Sequence, residues 1–197
     1  MFIICPVSCV AVIGLGNPGL IYARTRHNLG FWLLDKFANH KKTTFHLKSR
    51  YNSEIAKLSC NHKSCILIKP QTYMNESGKN LKTLLSQNNC DPSEAILVHD
   101  EVTLPVGRMK ITNGGRSHGG HNGVKSVFSS LGDSICRLRI GIGQNNNPNS
   151  KLSDFVLSDF NEEEVKCLEL HSETFLNALC SLINDGPDKT MNVFNRS

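Results

Sequence analysis

The sequence predicts a single three-layer α/β domain over residues 1–197, built on a mixed, mostly parallel sheet flanked by helices. Three observations carry this. Short, β-branched, nearly all-apolar runs at 8–14 and 95–98 have the pattern of strands covered on both faces. Segments with apolar residues at helical spacing alternate with them. No internal repeat, low-complexity tract or long linker divides the chain.

Each element has its own justification. Residues 1–7 are apolar but lack a basic leading segment, so they read as an extension before the first strand rather than a secretion signal. From Asn28, the residues Leu29, Phe31, Trp32, Leu33, Leu34 and Phe37 give a helix with a wide buried face. Residues 51–59 and 63–69 form two neighbouring strands. Asn75-Glu76-Ser77 offers a helix N-cap, and Leu81, Leu84 and Leu85 follow at helical spacing. The run 95–98 ends at His99-Asp100-Glu101, and 107–111 and 136–142 are further strands. Between these two lie a glycine-rich loop, 113–120, and a helix over 122–131. A last long helix starts at Asn161, where Glu164 completes a capping box. It buries Val165, Leu168, Phe175, Leu176, Leu179 and Ile183 and stops at Asp185-Gly186-Pro187.

Composition narrows the function. Hydrophobic residues make up 39% of the chain, enough for a core, and no run of about 18 apolar residues is present to form a transmembrane helix. The eight cysteines, at 5, 9, 60, 65, 90, 136, 167 and 180, include no CxxC pair. They read as small buried hydrophobes in a reducing compartment, the cytoplasm, and their spacing does not suit zinc. The formal net charge is +5, and the segment 101–151 carries all of it: Arg108, Lys110, Arg116, Lys125, Arg137, Arg139 and Lys151 stand against Glu101 and Asp133. A local cationic excess suits a polyanion as partner, and equally a solvated loop region.

Two familiar motifs fail on context. Gly14-Leu15-Gly16-Asn17-Pro18-Gly19 matches the dinucleotide fingerprint, but no helix opens at the third glycine, and Asp35 falls inside the first helix instead of ending the second strand. The sequence Gly115-Arg116-Ser117-His118-Gly119 matches the serine-hydrolase elbow, which requires a strand directly before and a helix directly after. Here glycines loosen both sides, so a flexible loop is the better description. His118 and His121 offer two imidazoles to a metal without an evident third ligand.

A different constellation remains. His27 stands at a helix entrance, and Asp100 closes a buried strand, where the ligand crevice of an open α/β sheet lies. An imidazole is a general base near neutral pH, and a carboxylate on its other nitrogen fixes the tautomer. Asn17, Asn75 and Asn122 are candidates to hold a carbonyl or orient water, because an amide both donates and accepts. Simple capping explains any one of them as well.

These segments together resemble the bacterial-type peptidyl-tRNA hydrolase family. The resemblance rests on Gly14–Gly19 with Tyr22 and Thr25-Arg26-His27-Asn28, on Thr72-Tyr73-Met74-Asn75 with Ser77-Gly78, and on His99-Asp100-Glu101 with Leu104-Pro105-Val106-Gly107. Gly119-Gly120-His121-Asn122-Gly123, the run from Arg137 to Gly143, Phe155-Val156-Leu157 and Met191-Asn192-Val193-Phe194-Asn195 complete it. It implies a monomeric α/β enzyme that cleaves the ester between a peptide and the 3′ ribose of tRNA, with no metal or organic cofactor. By matching position, it makes His27 the base that activates water, Asp100 its support, and Asn17 the residue that favours N-blocked substrates. It places Tyr22, Tyr73, Asn75 and Asn122 at the 3′ end and the ester, and Met74 and His121 along the same cleft. With such a substrate the basic excess acquires a partner, and Lys110 and Arg139 are the choices for clamping a tRNA phosphate, because phosphate contacts supply affinity without reading sequence. Thr103, Arg116-Ser117-His118 and the extension through Val7 depart from the family pattern. A serine hydrolase using Ser117 and a non-catalytic RNA-binding module are the competing classes.

Overall fold

The computed structural model of the chain describes residues 9–61, 63–115, 117–145 and 151–196. The 1–7 extension, Cys5 and Arg116 lie outside the described residues.

Seven strands form one sheet: β1 (Cys9–Gly14), β2 (His46–Lys48), β3 (Ser53–Cys60), β4 (Lys63–Pro70), β5 (Ile96–Glu101), β6 (Met109–Asn113) and β7 (Cys136–Gly141), in the order β2-β3-β4-β1-β5-β7-β6. The four central strands β4, β1, β5 and β7 are parallel, while β2, β3 and β6 join antiparallel at the two sides. The helices are α1 (Leu29–His40), α2 (Leu81–Gln87), α3 (Asn122–Leu131), α4 (Leu152–Val156), α5 (Glu162–Asp185) and α6 (Pro187–Phe194). The mixed, mostly parallel sheet predicted from sequence is therefore present.

Alternation along the strands builds the layers. Val10 and Val12 of β1 face α1 and α5, where Leu33, Phe37, Phe175, Leu179 and Ile183 complete one core. Ala11 and Ile13 face α2 and α3, where Leu81, Leu84, Leu85, Val124 and Val127 complete the other. Each fully buried Leu, Ile or Phe contributes roughly 1.5–3 kcal/mol, so both helical layers are held mainly by side chains the hydrophobic pattern identifies.

Local differences from the sequence reading have physical causes. Asn75 lies in a 3-10 turn, Met74–Glu76, and does not cap α2, which starts at Leu81 after Asn80 in left-handed conformation (φ 65°). Val165 is 40% exposed although its spacing matches the buried face of α5, because it falls in the first turn of that helix, short of Leu168, the first of its side chains to enter the core. β5 runs beyond residue 98 to Glu101, so His99 and Asp100 are strand residues. The short elements β2, α4 and α6, of three, five and eight residues, offer too few positions for a pattern to be read from sequence. At the far side, Asn195 uses its side-chain amide to accept from Ile111 N–H (2.8 Å) and donate to Ile111 O (2.9 Å), covering the edge strand β6 with the C-terminal segment.

The topology fixes where a ligand can bind. The chain leaves β1 towards β4 and leaves β5 towards β7, so the carboxyl ends of β1 and β5 flank the point where the winding reverses.

Candidate active site

At that reversal point three loops are tied together by amides. Asn17 N–H donates to Asn28 Oδ1 (2.8 Å), and Asn28 Nδ2 returns a bond to Asn17 O (2.9 Å), clamping the loop after β1 onto the start of α1. Asn17 Oδ1 in turn accepts from Met74 N–H at 2.8 Å, which fastens the 3-10 turn Met74–Glu76. The glycines of the failed dinucleotide motif serve this close approach: a Cβ on Gly14 would meet Gly30 O at 2.7 Å, and one on Gly16 would meet the Phe31 ring at 2.6 Å. Asp35 pairs with Lys69 of β4 at 2.6 Å.

His27 sits in the 3-10 turn Arg26–Asn28 just before α1, and its neighbours anchor that turn. Arg26 N–H donates to Ser158 O (3.0 Å), and the guanidinium forms a fork with Glu164 at 2.9 and 2.8 Å. The same cation lies 4.6 Å from the Phe155 ring centre and 4.8 Å from that of Phe160. Glu164 also accepts from Asn161 N–H, so one carboxylate closes the capping box of α5 and holds the turn that carries His27.

Asp100, at the end of the central strand β5, is buried, and His27 Nδ1 lies 3.0 Å from both of its carboxylate oxygens. His121 Nε2 lies 3.0 Å from Asp100 Oδ1. The tautomer of His121 follows from its other nitrogen: as N-cap of α3 it accepts from Gly123 N–H and Val124 N–H at Nδ1, so the proton is on Nε2 and is donated to Asp100. Gly119 (φ 59°) and Gly120 (φ 79°) supply the left-handed turns that let the chain double back to place His121 there. With Nδ1–H of His27 directed at Asp100, its Nε2 carries the free lone pair. Burial opposes ionisation of Asp100, but the charges and hydrogen bonds of His121 and His27 outweigh it and hold the carboxyl below the usual carboxylate range.

Two further groups complete the shell. His99 Nδ1–H donates to the Asp100 carbonyl at 2.7 Å, its ring meets His121 edge-on at 5.0 Å, and its Nε2 is buried with no partner among the described residues. Burial pushes this imidazole down to about 3. Glu101 Oε2 binds Arg139 Nε and Nη2 (2.9 and 2.7 Å), while its Oε1 accepts from Thr103 N–H and Oγ1–H. Thr103 thus supports the carboxylate beside Asp100.

His27, Asp100, Glu101, His118, His121, Asn122, Leu152 and Val156 line a cleft of about 160 Å³. Of the residues singled out by sequence, His27, Asp100, His121 and Asn122 meet there. Met74 does not line it: Met74 is 6% exposed and belongs to the core on the α2–α3 face. The turn it starts sets its polar groups on the loop clamp instead. Tyr22 and Tyr73 pack edge-to-face at 6.5 Å, and Tyr73 and Asn75 are exposed. Lys110, exposed on β6, stands opposite Arg139 on β7. Ser117 is exposed in the loop between Asn113 and α3, and its Oγ accepts from Gly119 N–H at 3.3 Å; neither a preceding strand nor a following helix abuts it. Among the described residues, His27, Asp100 and His121 are the one group of three potential metal ligands within 4.8 Å, and their facing atoms hydrogen-bond one another. The sequence context of Asn28 and His99 assigns them no role; only the fold shows that one clamps Asn17 and the other braces Asp100.

Fold and cleft together define an α/β protein with an imidazole–carboxylate centre at the crevice of its sheet, the arrangement of general-base chemistry. The model of the family described as peptidyl-tRNA hydrolase matches residues 11–197. The chain is 43% identical over 157 residues to a peptidyl-tRNA hydrolase of Rickettsia typhi, covering 80% of this chain and 84% of that one. It is 40% identical over 191 residues to one from Thermodesulfovibrio yellowstonii, covering 95% and 99%. The crystal structure of the peptidyl-tRNA hydrolase from Acinetobacter baumannii superposes with a TM-score of 0.88 at 29% identity, covering 96% and 95%. The chain belongs to the peptidyl-tRNA hydrolase family.

Proposed function

We propose that this protein hydrolyses the ester bond between the peptide and the 3′ ribose of peptidyl-tRNA, releasing the tRNA for reuse in translation. The single observation that carries the chemistry is the His27–Asp100 pair: both carboxylate oxygens stand 3.0 Å from Nδ1, which leaves Nε2 as the base. In this reading Nε2 takes a proton from water as the water attacks the ester carbonyl, and the imidazolium that forms is stabilised by Asp100. The proton then passes to the departing 3′ oxygen. Asn122, on the cleft wall, and Asn75, on the exposed turn, are the amides available to the developing oxyanion. Asn17 has its Oδ1 occupied by Met74 N–H, so it offers Nδ2 as a donor. Its natural acceptor is the carbonyl of an N-blocking acyl group, which a free α-ammonium lacks.

Tyr22 and Tyr73 provide faces on which the unpaired 3′ nucleotides stack. Lys110 and Arg139 sit side by side on adjacent strands and suit a phosphate; Arg139 shares its charge with Glu101, so Lys110 is the stronger point charge of the two. We read residues 1–197 as one domain acting as a monomer in the cytoplasm. The seven described cysteines are free thiols, as a reducing compartment maintains them.

The test is release of peptide from N-acetyl-aminoacyl-tRNA beside its unblocked counterpart. The blocked substrate is expected to turn over and the unblocked one to survive. His27→Ala is expected to reduce turnover by at least about 10²–10⁴-fold while tRNA binding persists. Equal cleavage of both substrates, or full activity of His27→Ala, rejects the reading.

A further inference from the structure

The chemistry above uses none of the thiols, yet one pair is placed for a reaction of its own. Cys60 ends β3 and Cys180 lies on α5, 120 positions later, with their Sγ atoms 3.9 Å apart. Asn184 Nδ2, one helical turn beyond Cys180, donates to Cys60 Sγ at 3.4 Å and helps to fix that sulfur against the helix. Access is unequal: Cys60 is 3% exposed, whereas Cys180 is partly open to solvent. Burial holds the Cys180 thiol above its ordinary range although Lys41 hydrogen-bonds it and pulls the other way, so the case for this pair rests on the sulfur separation and on the opening at Cys180. The second close pair, Cys9 and Cys90, has no such opening, because both are buried.

We propose that Cys60 and Cys180 form a reversible disulfide site that reacts with low-molecular-weight disulfides of the glutathione type. The Cys180 thiolate attacks one sulfur of the small disulfide, forming a mixed disulfide and expelling one thiolate. Cys60, having lost its proton to solvent, then attacks Cys180 Sγ and expels the second thiolate. Two protein thiols are oxidised and one small disulfide is reduced to two thiols. Reaching a sulfur–sulfur bond of about 2.05 Å takes roughly 2 Å of sulfur movement. The bond would tie α5 to the sheet at the end away from the crevice, since Cys60 pairs with Lys63 at the start of β4 and the neighbouring β1 begins there too.

The experiment incubates the full chain with oxidised glutathione, alkylates remaining thiols, and maps peptides without reduction. The expected product is a peptide containing residues 60 and 180, lighter by two hydrogens than its two parts and released by dithiothreitol. Its formation should raise Tm by on the order of 5–10 °C with turnover unchanged. Cys180→Ser should show neither the peptide nor the shift. The proposal is overturned if both thiols stay alkylatable, if glutathione remains on Cys180, or if Cys60 couples to a different cysteine.

Discussion

Asp100 accepts from two imidazoles at once, and that sharing gives each neighbouring residue a distinct role. Asp100→Asn keeps the size but offers one acceptor oxygen in place of two, so the His27 tautomer is no longer fixed. Turnover is expected to fall by about 10³–10⁴-fold with little change in the thermal midpoint; a variant within tenfold of the parent would show that the carboxylate does not matter. His99 governs a different property. In the unfolded chain its imidazole binds a proton near pH 6.5, whereas in the fold burial delays this to about 3. Below pH 6.5 the unfolded state therefore binds the extra proton, and stability falls as pH drops across that interval, by up to ~1.4 kcal/mol per pH unit. Urea midpoints measured from pH 7 to 4 should decline less steeply in His99→Gln than in the parent. Parallel profiles would mean that His99 is already charged in the fold.

Among the elements, α1 and α5 decide where His27 stands. Gly30 lets α1 approach so closely that an added Cβ would lie 2.4 Å from Leu15 N and 2.6 Å from Val98 O. The Arg26–Glu164 fork joins the turn before α1 to the first turn of α5. Arg26→Ala removes the fork and both ring contacts. We expect a loss of about 2 kcal/mol, less than the ~3–5 kcal/mol of a fully buried pair because Glu164 stays partly open to water. Turnover should fall more than KM changes, and equilibrium denaturation beside steady-state kinetics separates the two effects. Much at this scale was legible beforehand. The capping box Asn161/Glu164 and the helix over 122–131 stand where the local signals put them, because caps and periodicity act within a few residues. Asn75 misled for the same reason: a good capping residue preceded a helical pattern, but the intervening turn is held by Asn17, 57 residues away in pairing distance, which no local rule detects.

For the molecule as a whole, the parallel centre followed from buried apolar runs, and the proximity of the carboxyl ends of β1 and β5 followed from topology. Partnerships such as His99 with Asp100 and His121, or Asn28 with Asn17, depend on distances that residue types do not encode. The cationic excess of 101–151 resolves into two kinds. Arg139 is largely committed to Glu101, while Lys110 stands exposed on the outer strand. Lys110→Ala is expected to weaken tRNA binding uniformly across tRNA species and to lower the slope of log K against log salt by roughly 0.7–0.9. An unchanged slope in a filter-binding titration would remove Lys110 from the phosphate contact. Glu164 carries one more consequence, for the order in which the molecule comes into being. Arg26, in the histidine turn, is synthesised 138 positions ahead of the carboxylate that braces it. A nascent or truncated chain that stops short of that glutamate lacks the fork on Arg26, so the histidine turn is fully braced only after Glu164 has been made.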